Sequence, residues 1–149
     1  MSDSGLNVDQ RLARVQEHLS TGQMLMGQRN DWAGVCFFYA AYHQMCAALV
    51  SDPIFQDEAR LTSINVYLTR MDCYAEHHQG HPKRGRGYGI SDLVRILYRT
   101  YSPMYEQLHS ASNDVRYHAG LGMTSLEELE EHVSCITQAF NDGKLLAPA

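Results

Sequence analysis

Basic side chains are concentrated in one part of the chain, where they could bind phosphate. Between residues 83 and 99 there are five basic side chains and one acidic one, a net charge of +4, in a chain whose formal charge is −5. The six are Lys83, Arg84, Arg86, Arg95, Arg99 and Asp92. Clustered cations attract phosphates and acidic partners. The same pattern is also typical of a solvated loop followed by a helix with surface arginines, and the sequence leaves both interpretations open.

Three histidines, His77, His78 and His81, form the pattern closest to a metal site. A zinc site needs ligands paired on one helix face, or Cys and His in spaced pairs. Cys73 and His77 are spaced to share a face, but adjacent His77 and His78 would point about 100° apart on a helix. We therefore predict no metal site and no cofactor.

The sequence lacks the common motifs for nucleophilic catalysis and for phosphate-binding loops. There is no G-x-S-x-G and no P-loop, and the GRGYG run follows a predicted helix rather than a strand. What remains is arginine and histidine chemistry, in which imidazole moves protons and guanidinium holds a phosphate. His43 is one candidate, although a core histidine hydrogen-bonded to a neighbour would look the same in sequence.

The composition indicates one globular domain. The chain has 149 residues, of which 44% are apolar and 19% charged. We predict a single helical domain over 1–149, with a core over about 7–142, a flexible basic loop over 79–89 and a tail over 143–149. The four cysteines are far apart and predicted to be reduced. The polar N-terminus and the absence of a long apolar run predict a cytoplasmic protein without a membrane segment.

Helical periodicity organises the first half of the chain. Apolar spacing predicts a first helix over 8–26 with Asn7 as its N-cap. A second helix, opened by Asp31 and ended by the Asp52–Pro53 pair, is apolar on nearly every side and is therefore predicted to be central. A third helix is predicted over 55–78.

The second half continues the helical pattern. A fourth helix is predicted to begin with Ser91 or Asp92 as its cap and to kink or restart at Pro103, with Ser102 as a second N-cap. Residues 112–122 are predicted to form a break. A capping box at Ser125 opens a last helix, which ends at 141–143. The result is an all-α bundle of about five helices.

Two segments of the sequence resemble the HEPN-domain family. FFYAAYHQMCAAL in the second helix is similar to the family's F-Y-A-x-x-H helix, and YEQLHSASNDVRYH is similar to its segment that starts with Y-x-x-L and ends with R-Y. The resemblance runs from about Trp32 to Phe140. It implies an antiparallel bundle of four or five helices that forms a homodimer. It also implies the metal-independent endoribonuclease activity that many members have.

The resemblance further implies a catalytic pair. In the family an arginine that binds phosphate is followed, four to six residues later, by a histidine that helps to deprotonate the attacking 2′-hydroxyl. Arg116 matches the arginine, but His118 follows after a single residue. On a helix this spacing would place the two side chains on different sides, so they converge only if the segment is a turn. The candidate catalytic residues are therefore Arg116, His118 and His43, the last if Arg116 and Tyr117 fold back against the second helix.

Candidate RNA or phosphate contacts come from the basic loop and from the segment around Arg116. His81 and Arg84 in HPKR are similar to a His-x-x-Arg element of some HEPN relatives. The full set is Lys83, Arg84, Arg86, His81, Tyr117 and Asn113.

Two functional hypotheses follow. The first is a protein that handles RNA or a nucleotide, as a metal-independent endoribonuclease of a toxin or defence system. The second is a catalytically inactive binding or regulatory module that acts through a protein partner, such as an antitoxin or a defence-complex subunit.

Overall fold

The computed structural model describes residues 5–80 and 87–149. These residues form six α-helices and two short 3-10 helices, with no strand among them, so the all-α class is confirmed. The α-helices are α1 (Val8–Gly27), α2 (Trp32–Ser51), α3 (Glu58–Ile64), α4 (Ile90–Leu97), α5 (Ser102–Tyr117) and α6 (Leu126–Asn141). The 3-10 helices are Pro53–Gln56 and Arg70–Tyr74. The sequence predicted about five helices, and the described ranges contain six α-helices.

Helix α2 is the centre of the fold, as its apolar sequence predicted. It packs against α1, α5 and α6, and less extensively against α4 and the 3-10 helix Arg70–Tyr74. Its alanines are almost all inaccessible to solvent, which lets the neighbouring helices approach closely. One close approach is at Gly22 of α1, where a Cβ atom would lie 2.6 Å from the ring of Phe37. A glycine is therefore required at this crossing of α1 and α2.

The stretch Trp32–Gln56 is long and apolar enough to cross a membrane by length and composition. Of its most apolar window, 83% is buried inside the fold. The neighbouring helices thus already cover the apolar surface of α2, as they do for a core helix.

Helix ends that the sequence predicted clearly are fixed by local hydrogen bonds or by a glycine. The side chain of Asn7 accepts a hydrogen bond from the backbone of Gln10, and the side chain of Gln10 accepts one from the backbone of Asn7. Ser125 Oγ accepts a hydrogen bond from the backbone N–H of Glu128 and caps α6. Gly143 follows α6 with a φ of 70°, the left-handed conformation that glycine adopts easily. The caps at Asn7 and Ser125 and the glycine at the end of α6 are confirmed, whereas the Glu128 side chain accepts from Gln107 rather than completing the capping box predicted at Ser125.

The predicted third helix over 55–78 is wrong. Asp57 caps α3 by accepting a hydrogen bond from Arg60, and Asn65 follows the last residue of this short helix. The side chain of Asn65 then accepts a hydrogen bond from the backbone of Tyr67, and that of Asp72 accepts one from the backbone of Thr69. Such side-chain bonds offer the backbone an alternative to the helix. The stretch is therefore a short helix, a turn and a 3-10 helix.

The restart predicted at Pro103 is confirmed, but Ser102 is not its cap. Helix α4 ends at Leu97, and Ser102 is already the first residue of α5. The break between these two helices is fixed by Tyr98, whose hydroxyl donates to Asp52 Oδ2 at 2.9 Å. Burial and the nearby Asp52 carboxylate raise the pKa of Tyr98 above its ordinary value.

Three other predicted boundaries are also corrected. Asp31 makes no side-chain cap bond to α2, because Asn30 Oδ1 accepts from Trp32 instead, while Asp31 accepts from Leu121. The cap position of α4 is Gly89, whose N–H donates to Asp92 in the first turn. The break predicted over 112–122 begins only at 118, because α5 continues to Tyr117. The helix continues past 112 because Ala111 and Ser112 are buried in the core and the first glycine after them is Gly120.

Candidate functional site

Arg116 lies in the last turn of α5 and is exposed to solvent. Its Nη1 donates a hydrogen bond to the hydroxyl of Tyr39 on α2 at 2.9 Å, and its Nη2 donates to the hydroxyl of Tyr117 at 2.8 Å. The guanidinium carbon lies 4.9 Å from the centroid of the Tyr117 ring and 5.9 Å from that of Tyr39. Among the described residues no carboxylate pairs with Arg116, so its charge and its remaining N–H donors are available to an anion.

Two histidines lie within the electrostatic reach of Arg116. His109 is seven residues before it on α5, which places both on one side of the helix. The ring centroid of His78 is 4.8 Å from that of His109, and both rings contact Phe38 of α2. We refer to Arg116, Tyr39, Tyr117, His109 and His78 together as the Arg116 site.

Burial and charge keep both imidazoles of the Arg116 site neutral at pH 7. Burial, followed by the charges of His109, Arg116 and His77, lowers the pKa of His78 to about 4. Burial and then the Arg116 charge also lower the pKa of His109. The Nδ1 atom of His78 is buried and has no hydrogen-bond partner in the described part of the chain. A neutral imidazole can accept a proton, so the pair has the protonation state that a general base needs.

The segment 75–80 carries His78 to α5 although it is not helical. The hydroxyl of Tyr42 on α2 donates to the backbone carbonyl of Glu76 at 2.7 Å. At the other end, the N–H groups of Ile90 and Ser91 donate to the carbonyls of His77 and His78. The backbone on both sides of His78 is therefore tied to α2 and to the start of α4.

A second histidine pair contacts Tyr39 and Tyr42 of α2. His18 of α1 stacks on His43 of α2 with 5.4 Å between ring centroids, and His18 also lies 5.9 Å from the ring of Tyr39. Nη1 of Arg11 lies 3.1 Å from Nδ1 of His43, in a buried contact. Because a guanidinium can only donate, Nδ1 of His43 accepts this hydrogen bond and the ring proton is on Nε2. His43 is thus a core histidine with a neighbouring partner, the simpler of its two sequence interpretations.

The structure brings only part of the predicted site together. Tyr117 lies beside Arg116, whereas His118 follows the last residue of α5 and is exposed, with an extended backbone. The sequence analysis required a turn at Arg116 for its side chain to meet that of His118. Arg116 lies in helix α5, so this requirement is not met. Asn113 is half-buried on α5. His43 bonds to Arg11, and it is Tyr39, one turn earlier on α2, that contacts Arg116. His81, Lys83, Arg84 and Arg86 lie outside the described residues.

Sequence reasoning missed His109 and Tyr39 and considered His78 only as a metal ligand. The spacing of seven residues between His109 and Arg116 was a usable signal, since it corresponds to two helical turns. No local signal placed His78 against His109, because the two are 31 positions apart in the sequence. In the described ranges, no three His, Cys, Asp or Glu side chains are grouped so that they could hold a metal ion.

Comparisons of the chain with models of protein families, with curated proteins and with solved structures find no match. The functional argument therefore depends on the residues and on the geometry described above.

Proposed function

We propose that this protein binds RNA at the Arg116 site and cleaves it without a metal ion, as a HEPN-like protein that acts as a homodimer in the cytoplasm. The observation that carries the proposal is that Arg116, with which no described carboxylate pairs, shares one side of α5 with His109, whose ring contacts that of His78. Guanidinium recognises a phosphate by charge and by paired hydrogen bonds. Imidazole is a common proton acceptor in active sites, and a lowered pKa keeps it in the uncharged form that accepts a proton.

The reaction would use these groups as follows. Arg116 holds the phosphate through the N–H groups that do not bond to Tyr39 and Tyr117. One imidazole of the His78 and His109 pair accepts the proton of the 2′-hydroxyl, whose oxygen forms a bond to phosphorus while the bond from phosphorus to the 5′-oxygen breaks. The 5′-oxygen takes up a proton from water or from the imidazole that accepted the 2′-hydroxyl proton. The products are a 2′,3′-cyclic phosphate and a 5′-hydroxyl, with no net consumption of water.

The tyrosines favour a nucleic acid over a free phosphate. Tyr117 is 66% exposed beside the guanidinium, so a base could stack on its ring while Arg116 holds the adjoining phosphate. These contacts need no imidazole. They therefore also support the second candidate, a binding or regulatory module that holds RNA without cleaving it and acts through a protein partner such as an antitoxin or a defence-complex subunit.

The test is incubation of the purified protein with labelled single-stranded RNA and tRNA in EDTA. Arg116→Ala is expected to slow cleavage by about 10²- to 10³-fold, as loss of a group that stabilises developing charge usually does. Arg29→Ala is the matched control, because Arg29 is an exposed arginine that pairs with Glu127. Its cleavage rate should equal that of the wild type.

Filter binding of the same RNAs separates the two candidate functions. Binding without cleavage, lost in Arg116→Ala, would support the binding module. If the wild type neither binds nor cleaves RNA, RNA handling at the Arg116 site is wrong, and the module that acts through a protein partner is favoured. His118→Ala tests the histidine that the family resemblance predicts. If cleavage is lost, His118 transfers the proton; if the cleavage rate is unchanged, the pair of His78 and His109 is favoured.

A further inference from the structure

A surface cavity of about 510 Å³ lies beside the 3-10 helix Arg70–Tyr74. This volume is within the range of small-molecule sites, and it is larger than a single amino-acid side chain needs. His77 lines the cavity, whereas His78, the next residue, contacts Phe38 and His109. The cavity and the Arg116 site therefore lie on opposite sides of the segment 75–80.

Aromatic and thioether side chains form much of the cavity wall. Tyr67, Tyr74 and Tyr88 line it, together with Met71. Tyr74 is 61% exposed and Met71 is 70% exposed, so these side chains offer their surface to a ligand rather than to the core. The face of a tyrosine ring attracts a cation through its quadrupole.

Among the described residues of the cavity wall, the carboxylates are not accompanied by a lysine or arginine. The carboxylates are those of Asp72 and Glu76. The carboxylate of Asp72 is buried and accepts hydrogen bonds from the backbone N–H groups of Thr69 and Tyr88, while Glu76 accepts one from Gly5. Two fixed carboxylates at one cavity favour a positively charged occupant and disfavour a phosphate.

The cavity walls are held in place before a ligand arrives. Tyr88 donates from its hydroxyl to Asn65 at 2.9 Å, and the backbone of Glu76 is tied to Tyr42 of α2. The N–H groups of Gly80 and Gly89 both donate to Asp92 Oδ2 at 3.2 Å. Tyr88 and the backbone at Glu76 and Gly80 therefore need little ordering on binding.

We propose that this cavity binds a guanidinium or alkylammonium group, which stacks on Tyr67 and Tyr74 and is neutralised by Glu76 and Asp72. Such a group is carried by an arginine or lysine side chain of a partner or by a free organic cation. This binding is independent of RNA, so its test is independent of the proposed function.

The experiment is calorimetric titration of the full chain with N-acetylarginine amide and with tetramethylammonium. N-acetylcitrulline amide, which has the shape of the first probe but no charge, is the control ligand. We expect saturable binding of the arginine probe with a Kd on the order of 1 mM. Binding should weaken as salt increases from about 50 to 300 mM, because the carboxylates are screened. Citrulline is expected to bind at least about fivefold more weakly than arginine.

Three variants locate the binding. Tyr74→Leu and Glu76→Gln should each weaken binding by about three- to tenfold, whereas Tyr74→Phe, which keeps the ring, should bind as the wild type does. Glu131→Gln is the control for loss of an exposed carboxylate elsewhere, on α6. A chain with Lys83, Arg84 and Arg86 replaced by Gln is titrated in parallel, so that the chain's own cations cannot compete with the probe.

Each titration result either supports or overturns the proposal. Binding of the arginine probe by the wild type supports a ligand supplied from outside the chain. Binding only by the chain with the three Gln replacements supports the same chemistry with a cation supplied by residues 83–86. The proposal is overturned if neither chain binds, if citrulline binds as well as arginine, or if Tyr74→Leu and Glu76→Gln leave the affinity unchanged.

Discussion

Two histidine pairs each have one ring in contact with Tyr42, and an arginine is associated with each pair. In the pair of His18 and His43, the adjacent arginine is Arg11, which is only 4% exposed and bonds directly to His43. For the pair of His78 and His109, the arginine whose charge reaches both rings is Arg116, which is exposed and bonds to two tyrosine hydroxyls. The residue types are thus nearly the same in both places.

The two arginines differ in whether their charge and hydrogen-bond donors are available to a ligand. Arg11 is enclosed between α1 and α2, next to the ring of Tyr42, so its contact with His43 stabilises the packing of the two helices. Arg116 has a charge that no described carboxylate neutralises, and solvent reaches it. Similar side chains therefore serve packing in one pair and are available to a ligand in the other, because exposure and pairing differ.

The largest expected effect that separates the two pairs is on RNA cleavage. His109→Asn is expected to slow cleavage by about 10²-fold or more, because it removes an imidazole that transfers a proton. His18→Asn should leave the rate nearly unchanged, since His18 belongs to the packing pair. The measurement is the single-turnover rate on labelled RNA in EDTA. Equal losses in both variants would show that the two pairs do not differ in function.

The next largest effect is on the free energy of unfolding. Here the change near His18 and His43 is expected to matter more than the change near His78 and His109. Arg11→Met is expected to lower the free energy of unfolding by about 2 kcal/mol, because a buried hydrogen bond to a charged group is lost. Arg116→Met should change it by less than about 0.5 kcal/mol, as is usual at an exposed position. Urea unfolding followed by circular dichroism measures both. A larger loss for Arg116→Met than for Arg11→Met would make Arg116 the structural residue.

The smallest effect is the dependence of stability on pH at His78. Its folded pKa of about 4 lies below the ordinary value of 6.5, so the unfolded chain binds more protons between these two values. Stability from this group is therefore fully present above pH 6.5 and is lost as the pH falls towards 4. We expect about 1 kcal/mol, because water screens the half-exposed ring.

Comparison of His78→Gln with His77→Gln tests this pH dependence. The first variant should flatten the curve of unfolding free energy between pH 6.5 and 4 more than the second, because the charge of His77 is the smallest of the causes that lower the pKa of His78. An unchanged slope in His78→Gln would show that the ring is no harder to protonate in the folded protein than in the unfolded chain.

Much of the helical organisation could be predicted from the sequence because its causes are local. The reciprocal bonds of Asn7 and Gln10, the cap of Ser125 and the glycine at 143 each involve residues a few positions apart. The central position of α2 followed from its uniform apolarity. The third helix failed for a reason that is also local, since side chains such as Asn65 and Asp72 bond to the backbone and compete with the helix.

The sequence by itself determined the helical class, the central helix and the clearest helix ends, together with Arg116 and Tyr117 as neighbours. Only the tertiary structure decided that His78 lies against His109, that Arg11 rather than Arg116 bonds to His43, and that tyrosines and carboxylates share one cavity. Periodicity shows which face of a helix is apolar, but not which side chain of a distant element meets it. That choice depends on how α2 packs between α1 and α5, and on the hydrogen bonds that hold the segment 75–80 against α2 and α4.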